Sequence, residues 1–171
     1  NGPEKFILEK HFVAGSENTN LSNNVVSSLF IDRTGILWIG LQGGGINKYN
    51  PKRKQFYRYS HSDNKGSVGG SNISRIYEDN TGNIWFGTRN AGLSVLYKTK
   101  EKQFSNGFFD FDKSLFESGK INEIGTYNLN GKPELFVASA DDRFNVLFNP
   151  KIKNYRLKRR SLYTSLMKYA Q

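Results

Sequence analysis

The sequence contains no cysteine. That excludes a disulfide framework and any Cys-ligated zinc or iron–sulfur site. Histidine is nearly as scarce. His11 and His61 are the only two, and they do not stand in a His-x-x-x-His or similar ligand spacing. Both read as solvated loop or outer-strand residues. Proline numbers only four, so the chain is not a proline-rich linker. No apolar run approaches the roughly 18 residues that would read as a membrane-spanning helix. There is no Gly-x-Ser-x-Gly elbow and no Gly-x4-Gly-Lys-Ser/Thr phosphate loop. The first residue is Asn1, with no basic-then-apolar leader after it. We expect a piece of a larger protein, with the leader elsewhere or removed.

The chain has 171 residues, one domain's worth. Hydrophobic residues make up 36% and aromatics 14%, enough to pack a core. Its dominant feature is an internal repeat. Val25–Ile46 and Asn72–Leu93 align without gaps at a constant offset of 47 residues. Seven positions are identical: Ser27/Ser74, Asp32/Asp79, Thr34/Thr81, Gly35/Gly82, Trp38/Trp85, Gly40/Gly87 and Gly45/Gly92. A weaker third copy is marked by Tyr49–Lys54 recurring as Phe148–Lys153. Asn130-Gly131 stands near the place of Thr34-Gly35, but no Trp follows it. The segment from Phe6 to Asn24 reads as the tail of an earlier copy.

Each copy predicts four short strands. In the first copy these are Val26–Asp32, Leu37–Leu41, Ile46–Tyr49 and Gln55–Tyr59. Asp-x-x-Gly is a turn signal, because Asp accepts backbone N–H bonds and Gly takes positive φ. Gly43-Gly44-Gly45 joins two strands and opens no helix, so it is a turn and not a phosphate cradle. Gly40 and Gly87 lie inside apolar strands and predict close approach of another backbone. Trp38 and Trp85 read as core between successive units. A period of about 40–50 residues with four strands per unit is the signature of a propeller. The fold class expected is therefore all-β. It is a partial β-propeller of about three to four four-stranded antiparallel blades, a fragment of a larger ring. Residues 1–24 are assigned to the end of a preceding blade, 25–71 and 72–120 to two blades, and 121–171 to a divergent basic blade or the start of a next one.

The run Ile73-x-x-Ile76-x-x-Asp79-x-x-Gly82-x-Ile84-Trp85-Phe86-Gly87-Thr88, followed by Gly92-Leu93, resembles the two-component regulator propeller repeat. The copy at Val26–Ile46 departs from it at Leu41, where Thr is usual. The resemblance covers roughly Phe6–Phe104 and is thin from Ser105 onward. It implies the periplasmic sensor region of a hybrid two-component system of Bacteroides-type bacteria. Such proteins carry two propellers and a β-sandwich outside the inner membrane. A transmembrane helix, histidine kinase, receiver and DNA-binding domain follow. The implied signal is a glycan or its breakdown product, and the implied output is transcription of polysaccharide-utilisation genes.

Catalytic constellations are not found, and no catalytic residue, cofactor or metal is assigned. Glu78-Asp79 and Asp141-Asp142 are adjacent acids. Asp110 and Asp112 alternate with Phe109 and Phe111 and read as a solvated strand face. Ligand-binding candidates come from the turns between second and third strands and from the segments leading into each first strand. Both sets are expected on one axial face, where loops of several blades converge. They are Gln42, Arg89, Asn90, Asn24, Ser71 and, from the third unit, Arg143. Amide and guanidinium groups suit glycan hydroxyls and carboxylates.

The net charge is +10, and it is unevenly spread. Arg143–Gln171 holds eight basic residues and no acid, which leaves +2 on the rest. One reading places these groups in a turn and on an outer strand, where they discourage edge pairing. A second is an acidic glycan ligand. A third is nucleic acid or an anionic membrane, of which nucleic acid is not expected for this segment. Ser161–Ala170 fits either a helix or a first strand. The partners expected are a glycan or oligosaccharide, the remaining blades of the same protein, and a second copy in a homodimer. Rival roles are a dimerising scaffold, a polyanion-binding module, and a propeller lyase that would need a metal or a His–carboxylate pair.

Overall fold

A computed structural model describes residues 10–64, 66–98, 109–110, 119–129, 131–140, 143–148 and 156–161. Among them there are twelve strands and no helix. The first sheet contains β1 (Val26–Ile31), β2 (Leu37–Leu41), β3 (Ile46–Asn50) and β4 (Gln55–Tyr59). The second contains β5 (Ile73–Glu78), β6 (Ile84–Thr88), β7 (Leu93–Leu96) and β8 (Phe109–Asp110). The third contains β9 (Ile121–Leu129), β10 (Lys132–Ser139), β11 (Arg143–Phe148) and β12 (Arg156–Ser161). Every sheet is an antiparallel meander in chain order. The partial propeller expected from the repeat is the architecture observed.

The Asp-x-Thr-Gly turn does more than reverse the chain. Asp32 Oδ1 accepts from Thr34 N at 2.8 Å, Thr34 Oγ1 at 2.6 Å and Ile36 N at 3.1 Å. Its Oδ2 accepts from the indole Nε1 of Trp38 at 2.8 Å. Asp79 repeats the arrangement, with Thr81 N, Thr81 Oγ1 and Asn83 N on Oδ1 and Trp85 Nε1 at 2.8 Å on Oδ2. Gly35 and Gly82 close these turns at φ of 81° and 87°. One carboxylate thus fixes both the hairpin and the rotamer of the largest side chain of its sheet. A fully buried Trp removes 150–250 Å² from water, about 4–6 kcal/mol of transfer free energy.

Alternation along β2 and β6 sends the two tryptophans across the gaps between sheets. Trp38 joins Ile46, Ile73, Ile76, Ile84, Phe86 and Leu96 between the first and second sheets. Trp85 joins Leu93, Val95, Ile121, Ile124, Leu135 and Val137 between the second and third. Gly40 and Gly87 lie two residues on, on the same faces. A Cβ on Gly40 would stand 2.7 Å from Ile73 Cγ2, and one on Gly87 would stand 2.7 Å from Ile121 Cγ2. The first strand of each following sheet packs onto these bare positions.

Polar bonds repeat across the same gaps. Ser27 Oγ donates to the Ile73 carbonyl, and Ser74 Oγ donates to the Ile121 carbonyl at 2.6 Å. Both serines occupy β-bulges in which the first strand gains one residue over its partner. The bulge turns the hydroxyl toward the neighbouring blade. Gly45 N donates to Ser71 O at 3.0 Å, and Gly92 N donates to Gly119 O at 2.8 Å. Arg33 adds a clamp at the first gap, pairing with Glu78 at 3.5 Å and donating to the Asp79 carbonyl.

The segment before β1 packs on the open face of the first sheet. Leu21 lies with Ile39, Leu41 and Phe56, and Phe12 sits edge-on to Tyr49 and Phe56. Arg58 donates to the carbonyls of Gly15, Ser16, Glu17 and Asn20. The third sheet departs from the repeat. By cross-strand register, Phe136 stands where Trp85 does, and Ala138 stands where Gly87 does. Asp112, Lys151, Lys153, Tyr155, Tyr163 and the rest of 162–171 lie outside the described residues, as does Asp141-Asp142.

Two predictions follow from this packing. Gly87→Ala should cost about 1–3 kcal/mol, because its methyl overlaps Ile121. Gly35→Ala, with nothing near its Cβ, should cost only the positive-φ penalty of about 1–2 kcal/mol. Urea unfolding of both, with the two penalties compared, tests the contact. The second prediction concerns acid. Burial pushes the Asp32 carboxyl up, but hydrogen bonds from Thr34, Trp38 and Ile36 outweigh it and hold the group below its ordinary value. A carboxylate lowered on folding stabilises above its unfolded pKa of about 3.9, and that contribution is lost as pH falls through the folded value. Asp32→Asn should therefore lose about 1–3 kcal/mol at pH 7 and show a shallower decline between pH 5 and 3. Equal decline in both proteins would refute this.

Candidate functional site

The sequence candidates fall at one end of the three sheets. Gln42 N donates to Val25 O at 3.0 Å, Arg89 N to Asn72 O at 2.9 Å, and Ala140 N to Lys120 O at 3.0 Å. Each bond ties a turn after the second strand to the segment that leads into the first. Within this rim, Arg89 and Asn90 lie beside Lys120 and Gly119, at the junction of the second and third sheets, and Ser71 lies at the junction of the first two. There Gly43 N also donates to Asn72 Oδ1 at 2.9 Å. Asn24 and Gln42 stand one blade away, beside Val25, and Asn24 Oδ1 accepts from Ala14 N. Arg143 opens β11, opposite Ser161, at the same end of the third sheet. The rim thus gathers all six positions at one end but spreads them over three blades.

Of the six, Arg89 lines a cleft among the described residues. The cleft has a volume of about 240 Å³ and runs along the first strands, bounded by Ser27, Ser74, Arg75, Arg89, Lys120 and Asn122, with Ile121 beneath. Ser27, Ser74 and Asn122 are the three bulge residues of β1, β5 and β9. The bulges therefore carve the cleft by displacing one residue per blade from the ladder. Ser27 and Ser74 spend their protons on the next blade, so their oxygens offer lone pairs to the cleft.

Three cations surround this space. Arg75 is paired with Glu123 at 3.3 Å and donates to the Ser74 carbonyl at 2.8 Å. Arg89 and Lys120 are exposed at the mouth. The charged side chains that line the space are all cationic, with Glu123 paired to Arg75 beside it. Arg75, Lys120 and Asn122 escaped the sequence reading. Only the identity of Ser27 with Ser74 signalled the position, because a bulge leaves no other mark in the residue pattern.

The remaining chemistry is sparse. His61 Nδ1 lies 2.8 Å from the Val68 carbonyl, and His11 is exposed. Lys48 sits over the rings of Trp38 and Tyr57, and burial lowers its pKa against the opposing pull of Asp32 and Tyr57. Burial likewise raises that of Tyr59. Among the described residues no three His, Asp or Glu side chains are grouped to hold a metal ion. No helix among them is long and apolar enough to cross a membrane.

Sheets stacked through a Trp-x-Gly second strand, with a rim of turns at one end, define the arc as propeller blades. The family model described as two component regulator propeller matches residues 20–43 and 67–90 of the chain. No curated protein matches the chain in sequence. In fold it is similar to the extracellular domain of the putative hybrid two-component system BT4673 from B. thetaiotaomicron. That match has 23% identity and a TM-score of 0.62, covering 85% of this chain and 20% of that one. It is also similar to PorZ, a surface component of the type-IX secretion system of Porphyromonas gingivalis. Here identity is 14% and the TM-score 0.55, covering 93% of this chain and 24% of that one. The chain spans about a fifth to a quarter of the length of these structures.

Proposed function

We propose that this chain is a ligand-sensing propeller segment of a hybrid two-component signalling protein, placed on the periplasmic side of the inner membrane. Its ligand is an oligosaccharide carrying carboxylate or sulfate groups. Binding is relayed through the remaining blades, in a homodimer, to a kinase outside this chain. The observation that supports this reading is the cationic cleft of Arg75, Arg89 and Lys120 on blades of a regulator repeat family. Guanidinium and ammonium groups bind the anionic substituents, while Asn122 and the rim residues Asn24, Gln42, Ser71, Asn90 and Arg143 hydrogen-bond ring hydroxyls. No bond is made or broken in this role.

The test is calorimetry with uronate- or sulfate-bearing disaccharides against neutral ones. Acidic sugars should bind, and Arg89→Ala and Lys120→Met should each weaken them by about tenfold with an unchanged thermal midpoint. Equal binding of neutral and acidic sugars would overturn the choice of ligand.

The basic excess of Arg143–Gln171 favours a second reading, retention of a polyanion by that stretch. Joint replacement of Arg156, Arg159 and Arg160 by Ser should then release the chain from heparin at lower salt. Under the cleft reading, loss of Arg89 has the larger effect.

A further inference from the structure

One ion pair beside the cleft is not needed to stack the blades. Arg75 of β5 and Glu123 of β9 meet across the gap between the second and third sheets, Nε to Oε2 at 3.3 Å. By register the two residues hold equivalent places, Arg75 opposite Gly87 and Glu123 opposite Ala138. The same place in the first sheet is Ser28, opposite Gly40. The facing positions at the first gap are therefore Ser28 and Arg75, which cannot form an ion pair. That gap still packs its indole and its isoleucines, and it still forms the serine-to-carbonyl bond.

The pair has a second consequence for the cation. A guanidinium binds a carboxylate or sulfate through two parallel bonds, side-on from Nε and Nη2 or end-on from the two Nη atoms. In Arg75 each edge is engaged at one corner. Nη1 donates to the Ser74 carbonyl at 2.8 Å, a backbone contact that holds the guanidinium beside the cleft. Nε donates to Glu123 Oε2. This is a single bond between side chains that are 47% and 54% exposed, and such pairs are weak. Glu123 does not depend on it for its position. Its Oε1 accepts from the N–H of Ile124 at 3.1 Å, so the carboxylate keeps an anchor on its own strand.

We infer that Glu123 is a built-in competitor for the anion site. Its carboxylate holds the side-on edge of Arg75, and a ligand anion enters by displacing it. The anion replaces one bond by two, from Nε and Nη2, and gains the attraction of Arg89 and Lys120 at the mouth. An anion that cannot make the paired bonds, such as chloride, has no such advantage over Glu123. Binding thus exchanges a contact between two blades for a contact between one blade and the ligand, and β9 registers the occupancy of Arg75. The inference rests on the reading of the cleft as an anion site and adds how that site is regulated.

The probe is inorganic sulfate, titrated by calorimetry into the wild type, Glu123→Gln and Glu123→Ser, the last of which places the first blade's residue there. Both variants should bind sulfate about two- to fivefold more tightly, with a gain that fades as salt rises. The Nε–H resonance of Arg75 should shift on saturation of the wild type. In an Arg75→Gln background the same replacements should leave sulfate affinity unchanged. Equal sulfate binding by the wild type and both variants overturns the inference, and so does absence of sulfate binding in all three. A gain that survives Arg75→Gln also overturns it, because Glu123 then acts only as a distant repelling charge. Uronate- and sulfate-bearing disaccharides separate this result from the choice of ligand. Tighter sulfate binding by the variants, with no acidic sugar bound by any of the proteins, upholds the competitor and removes the glycan.

Discussion

The hydrogen bond from each tryptophan to its turn aspartate is the constraint on which the rest of the arc depends. Asp32 and Asp79 each accept four or more bonds, and one of them comes from an indole buried between two sheets. A buried carboxylate without such donors would be costly. With them it ties a local event, closing a hairpin, to a non-local one, placing the side chain that the next blade packs on. The turn and the interface are thus set by one residue.

The stacking follows from that placement. The indole fills one part of the gap, and the glycine two residues on leaves the other part open. Into that opening the next first strand inserts Ile73 or Ile121. The serine bulge supplies a hydrogen bond to the same incoming strand. Apolar filling, bare backbone and one polar bond occur together at each gap, which gives the blades one register. Because each gap takes half its residues from each neighbour, a blade at the end of the arc carries an unsatisfied half. The exposed Val26 and Leu29 are the visible form of this.

The cleft is a by-product of the same device. Each bulge displaces one residue from the first strand, and three displaced residues line one concavity. What makes it chemically distinctive is not the repeat but the residues that vary around it. In the first unit the counterparts of Arg75, Arg89 and Lys120 are Ser28, Gln42 and Val25, so these cations belong to the later blades. Conserved geometry and variable charge is the division of labour expected where a scaffold carries a site.

The four-strand blade was legible because its signals are local. Asp-x-Thr-Gly, alternation around Trp38 and Trp85, and the out-of-place Gly40 and Gly87 each mark a backbone conformation that few residues allow. That those glycines mark a close approach was also readable, but what approaches is a side chain of the next blade, Ile73 or Ile121, and not the expected backbone. The indole–carboxylate bond was not read, because a six-residue spacing says nothing until the hairpin brings the two together. The cleft was missed for the same reason, and Arg75 and Lys120 are unremarkable in sequence. By itself, then, the sequence determined the repeat, its strands and the way one blade meets the next, because these depend on residues close along the chain. The tertiary structure decided which side chains share a cleft and which face is left uncovered. Both depend on distances between residues some 47 positions apart, which only the stacking of the blades sets.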